Sequence, residues 1–359
     1  MRLAILAIAA GFIACTPAVL SAQDVTLPRL PSQLLDVVPP STWVEGGPGQ
    51  MVVRRGECRD FPTDQLRRRI VDIAVQEWAF FGFPVLDLRD GARLTPPGAF
   101  SGSESSPPQW TVGPRRTPPL GPQESARVAS TIAGYWAATP QGPGIVREQN
   151  GSWNGPGGVA ARWRAPWSAA FISWVMCEAG LGSPQTFQHA IAHWTYVDQA
   201  IRARDGGSPQ AGFVAYDIGE AVVESGDLLC QSNRPAYRSL AERRRHLGGG
   251  ARSHCDVVVE VDEDRERVLT IGGNVLRVVR LKIFPAPRDA AGKLRPESGE
   301  GRPLYAHLKL RADPIEPRAI SNSATFQAPD CSNGAAPQLR MARALSRLDI
   351  EIPTSSGCR

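Results

Sequence analysis

The chain has 359 residues, 42% of them hydrophobic, which is enough to bury the core of one large domain or two small ones. Its net charge of +5 is carried almost entirely by arginine, and no nucleic-acid-binding module is recognisable. These properties exclude a globally disordered chain, and nucleic acid is not an expected partner.

Residues 1–22 have the pattern of a signal peptide: a charged start, an apolar run that ends at Ile13, and small residues up to Ala22. The apolar run is shorter than the ~20 residues that a membrane-spanning helix needs, so no transmembrane segment is expected. We expect cleavage after Ala22 and a periplasmic or extracellular protein. The alternative is an outer-membrane lipoprotein with a lipid anchor at Cys15.

Apolar residues at helical spacing recur through the first half of the chain, after an N-terminal extension at 23–62. The segment 94–123 contains eight prolines mixed with Gly and Ser, which predicts a long irregular loop inside the domain. A Gly-rich loop is predicted at 141–158. The spacing predicts four helices, at 64–81 with Thr63 as the cap, 124–138, 166–180 and 187–202.

Further along the chain, the pattern changes to short strands. Helices first and strands afterwards indicate an α+β fold, with N-terminal helices packed on an antiparallel β-sheet. We expect one domain over 63–311, followed by an irregular C-terminal tail at 312–359 with a short helix near 339–348. The strands are predicted at 226–230, 255–261, 268–271, 275–284 and 304–310.

Cysteine usage favours disulfides over metal binding. Six cysteines allow about 15 pairings, so the connectivity stays open. Their spacing contains no metal-type CxxC, and His189 and His193, four apart in a predicted helix, lack a third ligand, so no metal site is predicted. The cysteines that follow the expected cleavage position are Cys58, Cys177, Cys230, Cys255, Cys331 and Cys358.

Three segments carry a chemical signature. Residues 166–175 read Pro-Trp-Ser-Ala-Ala-Phe-Ile-Ser-Trp-Val, residues 253–256 read Ser-His-Cys-Asp, and residues 271–274 read Ile-Gly-Gly-Asn. These segments resemble those of papain-like cell-wall hydrolases of the CHAP and NlpC type, which carry a nucleophilic cysteine where this chain has Ser168. Together they are also similar to an uncharacterised bacterial family, domain of unknown function 2272, over about 63–284.

The resemblance implies a catalytic site of Ser168, His254 and Asn274. A residue in the first turn of a helix lies at the positive end of the helix dipole, a histidine on a facing strand can act as base, and an amide can orient its ring. The dipole contributes about 0.3–1 kcal/mol, far too little to ionise a hydroxyl, so Ser168 has to pass its proton to His254 during attack.

The resemblance also places Trp167, His193 and Tyr196 at the substrate cleft. Two cysteines are poor substitutes for Ser168 as nucleophile. Cys177 lies nine residues further along the helix, on its opposite side, and Cys255 points to the opposite face of its strand from His254.

The sequence therefore predicts an exported peptidoglycan amidase or endopeptidase that uses a Ser-His-Asn site and no cofactor, with peptidoglycan or a cell-wall peptide as its partner. Two alternatives stay open. One is a catalytically inactive module of the same fold that binds a wall peptide or a partner protein. The other is an esterase or acyltransferase, because alcohol nucleophiles handle esters more readily than amides.

Overall fold

The computed structural model describes residues 26–54, 56–89, 93–95, 122–234, 236–298, 302–328, 346 and 348–350. Several predictions concern residues outside these ranges: the signal peptide, the lipid anchor at Cys15, most of the Pro-rich loop and most of the helix near 339–348. No helix in the described part of the chain has the length and apolar character needed to cross a membrane.

Seven α-helices are described, and four of them correspond to the predicted ones. The helix around the Ser168 motif ends as expected, because Gly180 takes a left-handed conformation with φ 116° as its C-cap. The helices are α1 (Thr63–Phe80), α2 (Pro122–Ala137), α3 (Gly142–Trp153), α4 (Ser168–Ala179), α5 (His193–Arg204), α6 (Leu240–Arg244) and α7 (Ala324–Gln327).

Helix α3 occupies a segment that the sequence pattern predicts as a Gly-rich loop, so that prediction is wrong. Its first glycine serves close packing: a Cβ on Gly142 would lie 1.8 Å from the carbonyl oxygen of Trp136, whereas a Cβ on either of the other two glycines of the helix would meet nothing within 4 Å. Val146, Gln149 and Trp153 are buried at helical spacing along the same helix. The glycine content therefore hid an amphipathic pattern.

The main sheet has eight strands in the order β4-β3-β9-β8-β7-β6-β10-β5. Neighbouring strands are antiparallel except β3 and β9, which run parallel. An α+β fold with a mostly antiparallel sheet is thus confirmed. The strands of this sheet are β3 (Val85–Asp87), β4 (Arg93–Thr95), β5 (Phe213–Tyr216), β6 (Leu228–Arg234), β7 (Arg252–Asp262), β8 (Arg267–Val275), β9 (Val278–Pro285) and β10 (Leu304–Leu310), and a small hairpin precedes it, β1 (Val44–Glu45) with β2 (Val52–Val53).

The two faces of the sheet bury different cores. Along β7, Val257 and Val259 belong to the large core shared with α1, α2, α4 and α5, whereas Val258 belongs to a smaller core on the other face. Alternation of side chains along a strand produces this division. It therefore places His254 and Asp256 on the face of the smaller core.

Two disulfides fasten this architecture. Cys58 bonds to Cys177 on α4, and Cys230 on β6 bonds to Cys255, its directly paired residue on β7. Cys177 and Cys255, the two alternatives to Ser168 as nucleophile, therefore have no free thiol. Cys331 and Cys358 lie outside the described residues.

The N-terminal extension packs behind the start of α4. Arg29 forms an ion pair with Glu77 of α1, and the hydroxyl of Tyr135 donates to the same buried carboxylate. Tyr135 in turn stacks on Trp167, with ring centroids 5.7 Å apart. This chain of contacts fixes the residue that immediately precedes Ser168.

Candidate functional site

Ser168 is the first residue of α4, as the motif predicts. The preceding residue, Trp167, makes no side-chain capping hydrogen bond, so the first N–H groups of the helix are left for other partners. The side chain of Ser168 is half-buried, and its Oγ lies 2.7 Å from Nε2 of His193. The nucleophile candidate thus touches a histidine directly.

That histidine begins α5. The helical stretch was predicted to start at 187, but α5 starts at His193, and Ala192 before it makes no side-chain cap. The N-termini of α4 and α5 therefore meet at the contact between Ser168 and His193. Two helix dipoles point their positive ends at this place, which favours negative charge there.

His254 lies on β7 and pairs with Asp256, two residues along the same face. Its Nε2 is 2.8 Å from Oδ1 of Asp256, whose Oδ2 accepts a hydrogen bond from Nζ of Lys282 at 2.7 Å. Lys282 also donates to the side-chain oxygen of Gln231 at 3.1 Å. Within the described residues, Nδ1 of His254 has no hydrogen-bond partner.

The two histidines meet where β7 and β8 separate. The pairing of these strands begins at Val257 and Ile271, and the N–H of Cys255, beyond that pair, donates instead to Nδ1 of His193 at 3.2 Å. The rings of His193 and His254 are in contact, with centroids 5.2 Å apart. His193 thus connects Ser168, on the helical side, to His254 on the sheet.

The electrostatic environment keeps both imidazoles neutral near pH 7. Burial holds the pKa of His193 well below its ordinary value, and the neighbouring His254 lowers it further. Burial also lowers the pKa of His254, although the carboxylate of Asp256 opposes the shift. Burial alone would raise the pKa of Asp256, but the hydrogen bonds from His254 and Lys282, together with the positive charge of Lys282, outweigh it and keep that carboxyl ionised.

Two adjacent glycines on β8 make room for this arrangement. A Cβ on Gly272 would lie 1.8 Å from Oδ1 of Asp256 and 3.0 Å from Nε2 of His254. A Cβ on Gly273 would lie 2.4 Å from Cβ of Phe171 on α4. The glycine pair, which lies between two predicted strands, is instead part of strand β8, where the absence of side chains leaves room for the His254–Asp256 pair and for α4.

The structure does not place Asn274 on His254. Asn274 lies in β8 at an irregularity in its pairing with β9, with a left-handed φ of 57°, and makes no hydrogen bond to either histidine among the described residues. The orienting position is filled by Asp256, which the sequence reasoning missed. Its signal was present, because residues i and i+2 of a strand share a face.

Of the residues predicted to line the cleft, only His193 reaches the candidate nucleophile. Trp167 is 2% exposed and stacks between Phe81 and Tyr135, so it lacks a free surface for substrate. Tyr196 is buried, and its hydroxyl is bonded to Nδ1 of His193. Both buried side chains therefore help to position the site.

Metal binding finds no support in the described part of the chain, where no group of three His, Cys, Asp or Glu side chains could hold an ion. The spacing of His189 and His193 does not put them on one helix, because α5 begins only at His193. The ring nitrogens of His189 lie 3.0 Å from the carbonyl oxygen of Ser173 and 2.9 Å from that of Leu181.

The fold and the site together define an α+β protein with a serine, two histidines and an aspartate clustered at the convergence of two helices and a sheet. A model of the bacterial family described as "Uncharacterized protein conserved in bacteria (DUF2272)" matches residues 124–305, and the chain belongs to this family. The matched region contains Ser168, His193, His254 and Asp256. No curated protein and no solved structure matches the chain.

Proposed function

We propose that the protein is an exported serine hydrolase of papain-like architecture that cleaves amide bonds in the stem peptides of peptidoglycan. One observation carries the proposal. Ser168 stands at an uncapped helix start beside a histidine pair, and one member of that pair, His254, is held by a carboxylate at Nε2 while its Nδ1 has no partner among the described residues.

Asp256 gives His254 the properties of a general base. An ionised carboxylate accepts a hydrogen bond, so the proton of the neutral imidazole resides on Nε2 and the lone pair on Nδ1. Ser-His-Asp hydrolases use the same order of carboxylate, imidazole and nucleophile with the two ring nitrogens exchanged, because their carboxylate bonds to Nδ1 and their nucleophile to Nε2. In the proposed site, Asp256 rather than Asn274 therefore orients the ring of His254.

The reaction would begin with transfer of the Ser168 proton to Nδ1 of His254, directly or through one water, as Oγ attacks the carbonyl carbon. Hydrogen bonds of this kind often tighten only when substrate binds. The N-termini of α4 and α5 would stabilise the oxyanion. Water would then release the acyl group from Ser168.

Papain-like architecture and the wall substrate are supported by separate observations. A helix with the nucleophile candidate at its N-terminus packs on an antiparallel sheet. His254 lies on the other face of that sheet, and its ring contacts His193 beside the nucleophile candidate, which supports the motif resemblance. The signal-peptide pattern of residues 1–22 agrees with a substrate outside the cytoplasm.

The test is mass spectrometry of purified peptidoglycan after incubation with the wild-type protein, with Ser168→Ala, with Ser168→Cys and with His246→Gln. The side chain of His246 is exposed, and its ring contacts Tyr237 rather than the serine, histidines and aspartate of the described cluster, so its replacement is a matched control for handling and folding. We expect new muropeptides from the wild type and His246→Gln, and loss of at least about 10³-fold in Ser168→Ala.

Each other result points to a different function. Products from Ser168→Cys alone would mean that the cleft binds wall peptides without hydrolysing them in its natural form. Turnover of small esters without any muropeptide would indicate an esterase or acyltransferase. Muropeptides released equally by the wild type and Ser168→Ala would remove Ser168 from the mechanism.

A further inference from the structure

The second histidine of the site has a fixed hydrogen-bonding role. Nδ1 of His193 faces two donors: the backbone N–H of Cys255, at 3.2 Å, and the hydroxyl of Tyr196. A backbone N–H can only donate. Burial raises the pKa of Tyr196 well above its ordinary value, so this phenol keeps its proton and can donate as well. Nδ1 of His193 must therefore carry the lone pair.

The tautomer of His193 follows. The ring is 3% exposed, and burial favours its neutral form, which has a single N–H. Because Nδ1 accepts, that proton is on Nε2, 2.7 Å from Oγ of Ser168. His193 donates to the serine and has no lone pair with which to take the serine proton.

We infer that His193 is a permanent hydrogen-bond donor to Ser168 Oγ, which positions the nucleophile and stabilises its developing negative charge, and that it is not the base. The catalytic meaning of this inference rests on the proposed hydrolase function, whereas the tautomer does not. Both histidines carry Nε2–H, but His254 gives it to Asp256 and His193 gives it to the nucleophile.

Every proton in the proposed reaction is then accounted for. The Oγ–H bond of Ser168 breaks, its proton moves to Nδ1 of His254 directly or through one water, and the Oγ–C bond forms while the carbonyl electron pair moves to oxygen. The C–N bond then breaks and the leaving amine takes the proton from His254. His193 keeps its proton throughout, so Cys255 and Tyr196 keep their acceptor.

Such a donor addresses the difficulty of a hydroxyl nucleophile. The helix dipole alone cannot offset the high pKa of a serine. A donor aimed at the oxygen where charge develops contributes about 10²–10³-fold to a rate when it is pre-organised in a site sheltered from water. His193 is pre-organised by Cys255, Tyr196 and the start of α5.

Two substitutions distinguish donor from base. In His193→Gln, the side-chain amide can donate to Ser168 while its oxygen accepts from Cys255, so we expect kcat within about tenfold of the wild type. In His193→Leu, we expect kcat to fall about 10²-fold with KM nearly unchanged. In His193→Gln, the fall in kcat at low pH should persist, because His254 remains the titrating base. His254→Gln is the matched control, and we expect its kcat to fall about 10³-fold.

Nitrogen-15 NMR of the imidazoles, with His193→Gln to assign the signals, tests the tautomer without any substrate. We expect a protonated Nε2 and an unprotonated Nδ1 for His193 at pH 7. A protonated Nδ1 overturns the inference whatever the activity, and so does a His193→Gln variant as inactive as His254→Gln. A wild-type protein that shows the expected tautomer but releases no product supports the inference and counts against the proposed function.

Discussion

Two buried histidine–aspartate pairs are present in the described part of the chain, and one of them lies at the candidate site. His254 bonds to Asp256, and His307 on β10 bonds to Asp227, each with Nε2 2.8 Å from a carboxylate oxygen. The side chain of His254 is 11% exposed and its ring contacts His193, whereas that of His307 is fully enclosed.

The surroundings of the two carboxylates also differ. Asp227 is bonded to Arg67 and to two backbone N–H groups, of Glu224 and Leu310, so it ties strand ends and α1 together. Nδ1 of His307 is buried and has no hydrogen-bond partner in the described part of the chain. The pairing of an imidazole with a carboxylate therefore does not define a catalytic group; access to the second ring nitrogen and a neighbouring nucleophile do.

The largest expected effect comes from replacing each histidine by glutamine. His254→Gln should lower kcat about 10³-fold, because an amide cannot take up a proton, while the stability of the fold changes little. His307→Gln should leave kcat per folded molecule within about twofold and lower the free energy of unfolding by about 1–3 kcal/mol. Muropeptide release and urea unfolding measure the two quantities. Equal losses of kcat per folded molecule in the two variants would mean that the two histidine–aspartate pairs do not differ in function.

A smaller effect is expected from closing the space beside Asp256. The Cβ of Gly272→Ala would lie 1.8 Å from Oδ1 of that residue, so the carboxylate or the strand must move. We expect about tenfold to a hundredfold lower kcat and a loss of about 1–3 kcal/mol in stability. Gly250→Ala is the control, because nothing lies within 4 Å of its added Cβ. Unchanged activity in Gly272→Ala would mean that the pair tolerates displacement.

The smallest effect concerns acid stability. The pKa values of His193 and His254 are lowered on folding from 6.5, so the unfolded chain binds more protons below about pH 6.5 and the folded state loses stability as pH falls. Each histidine contributes at most about 1.4 kcal/mol per pH unit. Unfolding of the wild type and His193→Gln at pH 7 and pH 5 should show the smaller loss in the variant. Burial raises the pKa of Asp72 to about 6, which opposes this trend but cancels in the comparison.

The sequence predicted the helix of Ser168 well, because an apolar stretch between a proline and Gly180 specifies both its ends. It also predicted β10 at 304–310, where the structure has Leu304–Leu310. These elements depend on local patterns. Helix α3 was not predicted because its three glycines favour a loop, and the one at Gly142 is explained only by its close approach to Trp136, a residue of another helix.

The site was predictable in part for the same reason. Ser168 and His254 are recognisable from their own segments, and Asp256 follows from strand alternation once β7 is accepted. The contact between His193 and Ser168 depends on where α5 begins and on how β7 and β8 separate, and both are tertiary features. A pattern of neighbours along the chain cannot specify them.

The disulfide between Cys230 and Cys255 makes the geometry of the site depend on the redox state of its surroundings. Cys255 stands between His254 and Asp256 in the chain, and its N–H holds His193, so one cross-link clamps the backbone on which both imidazoles depend. Disulfides persist in oxidising compartments and are rare in the cytosol. In an exported chain this disulfide would form only after the chain leaves the cytosol, so the backbone around the two imidazoles would lack its cross-link for as long as the chain stays where it is synthesised.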